Sequence, residues 1–497
     1  MADGRHPVAP LVRSDVFLLG ASQALIEEQL DGLPARRLHL QECPALTMIP
    51  GKMSIFGPHL REVFISHCNA LTSLPEGMFV GAVNLRSLTL ISCGALAEIP
   101  LTIGLLHQLE ILTLNNLSSL TSLPDSIGQC ASMTHLDVIE CGLIRQFPAS
   151  ICNLAELNWL QVNRMASLEA LPVDIGRLRS ITRLSIYRCP LLSGLPESMA
   201  MLQQLESLSM SECPALLNFP TQMCTLPMLR ILNFQSMPWT HLPADVGRLT
   251  NLEILIITFC RAMTQFHGTF ADIRGMKEVV LNASGFTAIP DQLFELTSLQ
   301  ALTITSTPIT CVPDKIANLV HLDRLELSYC ERLTRISDSM CQLPMLTNVT
   351  LTGCSVLTEL PDGICNLQRT TQLDISDCFS MQTLPASLSH LFVSLARDLV
   401  GSTGRRNIRS VPAAILQRGH PATHLFMQAQ FTRTRIMLMI LAARRLRQLG
   451  IRGRLPHMPE ELWGLVAAEF ANVGDLAPPR TDDDKAAADD EYTGDEY

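Results

Sequence analysis

Aromatic side chains are scarce in this chain: only 5% of its 497 residues are Phe, Trp or Tyr, and 17% are charged, whereas 47% are hydrophobic. The interior must therefore be built from aliphatic groups, and a disordered chain is excluded. Long apolar runs are missing as well. The longest, Ile436 to Ala443, is far too short to cross a bilayer, so no membrane-spanning helix is expected. Residues 1–13 lack a basic leader followed by an apolar stretch and a small-residue cleavage site, which leads to the expectation of a cytoplasmic or nuclear location. No C-x-x-C pair occurs among the 16 cysteines, which fall at a regular interval inside apolar segments. They read as packed, reduced thiols rather than a disulfide framework or a zinc site, and no metal or cofactor is expected. The sequons at Asn116, Asn282 and Asn348 read as chance matches in such a compartment. Phosphate-loop, H-E-x-x-H and G-x-S-x-G motifs are absent, and the 13 histidines have no recurring Asp or Cys partner. No enzyme is expected.

What the chain has instead is a period. A proline after a large apolar residue stands at 50, 75, 100, 124, 148, 172, 196, 220, 243, 290, 313, 361 and 385, with His267 and Ser337 in two expected places. Each unit of 23 to 25 residues reads L-x-x-L-x-L-x-x-C-x-x-L-x-x-L-P-x-x-I-x-x-L, as in Leu85, Leu88, Leu90, Cys93, Leu96, Ile99 and Pro100, and again in Leu346, Val349, Leu351, Cys354, Leu357, Leu360 and Pro361. In L-x-L both leucines point to one side of a short strand, so each repeat supplies one strand. A single repeat cannot bury its apolar side alone, so neighbours must stack.

These residues resemble the leucine-rich repeat family, in the intracellular variety found in plant disease-resistance proteins, over about 33–385 and fifteen consecutive repeats. The resemblance implies an α/β solenoid, curved, with a parallel sheet on its concave side, acting as a scaffold for protein–protein interaction in signalling or immune-type recognition. The nucleotide-binding module that accompanies plant resistance repeats is absent. Bacterial effectors that couple similar repeats to a cysteine-dependent ubiquitin ligase are excluded as a model, because no cysteine follows Cys378.

On the concave side, the residues between the paired leucines run from His39, Phe64 and Thr89 to Thr350 and Asp374 and are polar but nearly uncharged. This excludes capture of a nucleic-acid backbone through that face and favours a protein partner. Two patches stand out. Trp159 and Tyr187 are expected side by side in neighbouring repeats, flanked by Arg183, and these residue types are enriched at interface centres. Ile231, Ile254, Ile256 and Val280 are expected to point outward where a solvated face would carry polar groups.

The ends depart from the period. Residues 1–32, with Val16 to Leu19 and Ala24 to Ile26 behind Ser14 or Asp15, read as an N-terminal capping helix. Residues 386–424 are a decayed repeat and loop, 425–470 a basic helical region, and 471–497 an acidic tail whose composition predicts disorder. Twelve arginines against one acid lie between Arg397 and Arg454, about +11, and nine acids against two bases lie in 471–497, about −7. The basic helix could dock on the last repeat, lie on an anionic membrane or bind nucleic acid. Within 455–466, Pro459, Leu462, Trp463 and Val466 resemble the opening of an F-box, which implies an alternative: a substrate receptor that reaches a ubiquitin-ligase adaptor through this helix.

Overall fold

Each L-x-L pair forms a strand, and in a computed structural model describing residues 13–30, 35–50 and 57–381 except 368, 371 and 376, sixteen such strands pair in parallel. The strands follow chain order from Arg13–Leu19 to Gln372–Asp374, all in the first of the chain's two units, Met1–Pro385. Equal repeat positions meet across the sheet: Leu88 faces Leu112, then Leu136, Leu160 and Leu184. Burial alternates along the central strands with period two, so the two leucines are fully enclosed and the three residues around them stay accessible. This is the α/β solenoid that the period predicts.

The proline opens the return arm. Pro100, Pro124, Pro148 and Pro196, with φ between −56° and −70°, each precede a five-residue 3-10 helix. Those helices stack along the outer side, and because a helical arm is wider than the roughly 4.8 Å between paired strands, the sheet takes the inner side of the arc. Of the two proline substitutes, Ser337 caps the helix Asp338–Gln342 by accepting a hydrogen bond from the Ser339 N–H. After His267 comes Gly268 at φ +75°, and residues 268–272 form no 3-10 helix.

The N-terminus differs from the expected helix that begins at Ser14 or Asp15. Arg13–Leu19 is a strand, paired with Ala35–Gln41 as a sixteenth rung, and the helix is the shorter segment Gln23–Leu30. Periodicity alone cannot separate a short apolar run in a strand from one in a helix. Here Phe17 and Leu19 sit on the open face and make V-F-L-L look uniformly apolar, although only Val16 among them is fully buried.

One backbone position carries the turn out of every strand. Gly20, Glu42, His67, Ser92, Asn116, Glu140, Arg164, Arg188, Glu212, Ser236, Phe259, Ala283, Ser306, Tyr329, Gly353 and Asp377 occupy it, and all have φ between 49° and 73°. Where the next repeat follows, the N–H of this residue donates to a carbonyl of the neighbouring strand, as Ser92 does to Asn115 at 2.8 Å and Glu140 to Asn163 at 2.8 Å. Left-handed backbone costs a residue with a Cβ about 1–2 kcal/mol. That cost recurs in fourteen repeats, and in thirteen of them it is offset by one hydrogen bond to the neighbouring repeat and the packing that follows.

The cysteine column comes immediately after. Its thiols are buried, and they donate to carbonyls of their own and the preceding repeat: Cys330 to Ile304 O at 3.4 Å, Cys354 to Leu327 O at 2.9 Å, Cys378 to Leu351 O at 3.0 Å. The strand direction places the carbonyl of the preceding repeat within reach of each of these thiols. Burial pushes the Cys141 thiol up to about 11 and that of Cys330 to about 12. These groups stay protonated and inert.

Candidate protein-binding face

The outward positions of the sheet form three lines across the strands, one for each accessible residue of a rung. The first line, in register, reads Ile111, His135, Trp159, Arg183, Ser207, Ile231, Ile254 and Glu278. Trp159 is fixed from two sides. Its indole N–H donates to Asp137 Oδ1 at 3.0 Å, and the Arg183 guanidinium lies over its ring at 5.6 Å from the centroid. Asp137, on the strand across Trp159 from Arg183, is half-buried, and its burial raises its carboxyl above the ordinary value, against the opposing hydrogen bonds from Trp159 and Thr113.

Trp159 and Arg183, with Thr134, His135, Asn158, Thr182 and Glu206, line a shallow depression of about 500 Å³ at the edge of the sheet where the strands begin. Arg183 is exposed and makes no ion pair among the described residues. Several other arginines of the array are matched by acids: Arg86 with Glu110 at 2.7 Å, Arg188 with Glu212 at 3.1 Å, and Arg230 with Glu253, which also holds Lys277 at 2.7 Å. Lys277 and Arg230 together keep the Glu253 carboxyl below its ordinary value.

Tyr187 is not Trp159's neighbour. Parallel strands in register set Trp159 beside Arg183, while Tyr187, at the far end of Arg183–Tyr187, faces Asn163 and Ser211. Four residues along a strand separate it from the depression by about 13 Å. The aliphatic patch does assemble: Ile231 faces Ile254, Ile256 faces Val280, and all four are partly accessible. It starts two strands beyond Arg183.

No protein-family model matches the chain, and no curated protein matches it. Solved structures do. A leucine-rich repeat protein of Leptospira interrogans is 23% identical with a TM-score of 0.55, over 70% of this chain and 85% of that one. TLR13 in complex with ssRNA13 is 15% identical with a TM-score of 0.50, over 74% of this chain and 54% of that one. The fold is that of the leucine-rich repeat.

Within this leucine-rich repeat array, sequence reading placed the fifteen central residues of the face correctly, from His39 to Asp374. It missed three groups. In the sequence Asp137 is one polar residue among many; a 24-residue period sets it opposite Gln161, and only the length of the indole brings Trp159 diagonally onto it. Glu278 stands on the same outward line as Trp159, a relation visible only once the register is known. Phe17, misplaced in a helix, stacks edge-on to His39 at 4.5 Å, and Phe64 follows at 5.4 Å, while His39 also meets Glu62 at 2.8 Å. Pro459, Leu462, Trp463 and Val466, like the basic helix and the acidic tail, lie outside the described residues. Among the described residues no cluster of metal ligands occurs, and no helix is long and apolar enough to cross a membrane.

Proposed function

We propose that the protein is a non-enzymatic scaffold that holds a protein partner on the concave sheet, in signalling or immune-type recognition. The observation that carries this reading is the Trp159–Arg183 stack, a fixed aromatic with an unpaired cation on a rigid sheet, two strands from four outward aliphatic side chains. Aromatic and arginine anchors beside an apolar patch are the composition of interface centres. A phosphate backbone is a poor match: on the outward lines the acids Asp15, Glu62, Asp137, Glu278, Glu326 and Asp374 outnumber Arg37, Arg183 and Arg324. The free thiols of the array suit a reducing compartment, the cytoplasm or nucleus.

The test is affinity capture with the purified chain beside a Trp159→Ala, Arg183→Ala variant. Loss of an anchor of this kind costs about 2 kcal/mol, roughly a thirtyfold weaker complex, so a direct partner should drop out. A captured set that is identical for both proteins overturns the reading. The F-box-like segment carries the finer alternative. If 455–470 recruits a ubiquitin-ligase adaptor, deleting those residues removes the adaptor and leaves the partner of the sheet in place.

A further inference from the structure

The first outward line is ordered by chemistry as well as by position. Arg183, an unpaired cation, is followed by the small Ser207, then Ile231 and Ile254 with Ile256 and Val280 beside them, and then Glu278, an acid that makes no ion pair among the described residues. Strands lie about 4.8 Å apart, so Ile254 stands about 14 Å and Glu278 about 19 Å from Arg183 along this line. An extended chain laid across the strands advances about 3.3 Å per residue and turns every second side chain toward the sheet. Residue i over Arg183 then puts i+4 at about 13 Å, in the corner formed by the isoleucines, and i+6 at about 20 Å, over Glu278. All three have the same parity, so one extended segment can reach all three anchors. Residue i+2 falls at about 7 Å, near the small Ser207, which offers neither a charge nor an apolar anchor to select it.

We propose that the partner of this face is an extended segment carrying an acid, an apolar residue four positions on, and a base two positions further, in either chain direction. This rests on the reading of the concave sheet as a protein-binding face and names what that face selects. Charge complementarity fixes the ends, since Arg183 and Glu278 are both uncompensated within the array. The aliphatic corner between them excludes a purely electrostatic contact.

The test is selection of a display library of random dodecapeptides on the full chain, followed by fluorescence anisotropy with the enriched peptide as synthesised. The expected outcome is enrichment of Asp or Glu at i, Leu, Ile, Val or Phe at i+4 and Lys or Arg at i+6. Binding should weaken at least tenfold with Arg183→Glu, less with Arg183→Gln, and recover when the peptide's acid is replaced by lysine against Arg183→Glu. Circular dichroism of each variant checks that the array remains folded. Peptides with another spacing, including the seven to nine residues a helix would need, that still weaken with Arg183→Glu overturn the segment but leave the face. Peptides indifferent to both Arg183→Glu and Ile256→Asp overturn the face as well. No enrichment overturns the segment. Binding seen only after removal of 471–497 assigns the line to the chain's own acidic tail, and a dimer dispersed by Arg183→Glu assigns it to a second copy; either result overturns an outside partner.

Discussion

At Asp137 two demands conflict. The carboxylate accepts the Trp159 N–H that fixes the indole, and burial penalises the charge that makes it a good acceptor. The second effect wins, so the carboxyl in the folded chain lies above its ordinary value of 3.8. A raised carboxyl contributes stability that is fully present below the unfolded value and is lost as pH rises through the folded one. Asp137→Asn keeps an acceptor for the indole and removes the charge, with Thr113 close enough to take the new amide. Its melting temperature should equal that of the parent at pH 3 and exceed it at pH 7, with the gain developing above 3.8. A variant less stable than the parent at pH 7 would show that the charge itself supports Trp159. Sequence exposed the acid and the indole separately. Their contact was hidden because a side chain of that length leaves the rung it belongs to.

The element that the leucine pattern conceals is the left-handed turn. Leucines and cysteines announce themselves by recurring, but the turn position holds glutamate, arginine, serine, tyrosine and alanine without preference, so no residue type betrays its φ. It is imposed by the hydrogen bond to the next strand rather than by local propensity, which is why tertiary context must be seen first. A stability test follows from the same reasoning. Ala283→Gly relieves about 1–2 kcal/mol of left-handed strain and gives back about 0.5–1 kcal/mol in unfolded-state entropy, so it should stabilise by about 0.5 kcal/mol in chemical denaturation. Gly353→Ala should do the reverse and cost about 1–3 kcal/mol, because φ is +73° and the added methyl would meet the Tyr329 ring, which lies over the glycine. Equal effects of the two changes would rule out turn strain as the cause. The N-terminal strand taught a similar lesson: Phe17 and Leu19 disguise the alternation that Val16 and Leu38 obey, and pairing with Ala35–Gln41 decides the state.

Across the whole array, contacts run only between neighbouring repeats, so inserting one repeat changes the distance between sites without altering the sites themselves. The natural place is after Arg230, with a second copy of 207–230. The duplicated Phe219 then still meets Phe234 and Trp239, which it touches at 5.7 and 5.0 Å, so the aromatic cluster at that seam is preserved. Arg183 keeps Trp159, and Ile231 keeps Ile254, but one more strand separates them. The added distance is about 4.8 Å, between one and two residues of an extended chain. Parity then decides the outcome: a segment whose every second side chain faces the sheet can adjust only by two. Peptides selected on the enlarged array should therefore carry their acid and apolar residue six apart instead of four, while the apolar residue and the base stay two apart. An unchanged spacing on an array that folds with seventeen strands would show that Arg183 and the isoleucines do not grip the same chain.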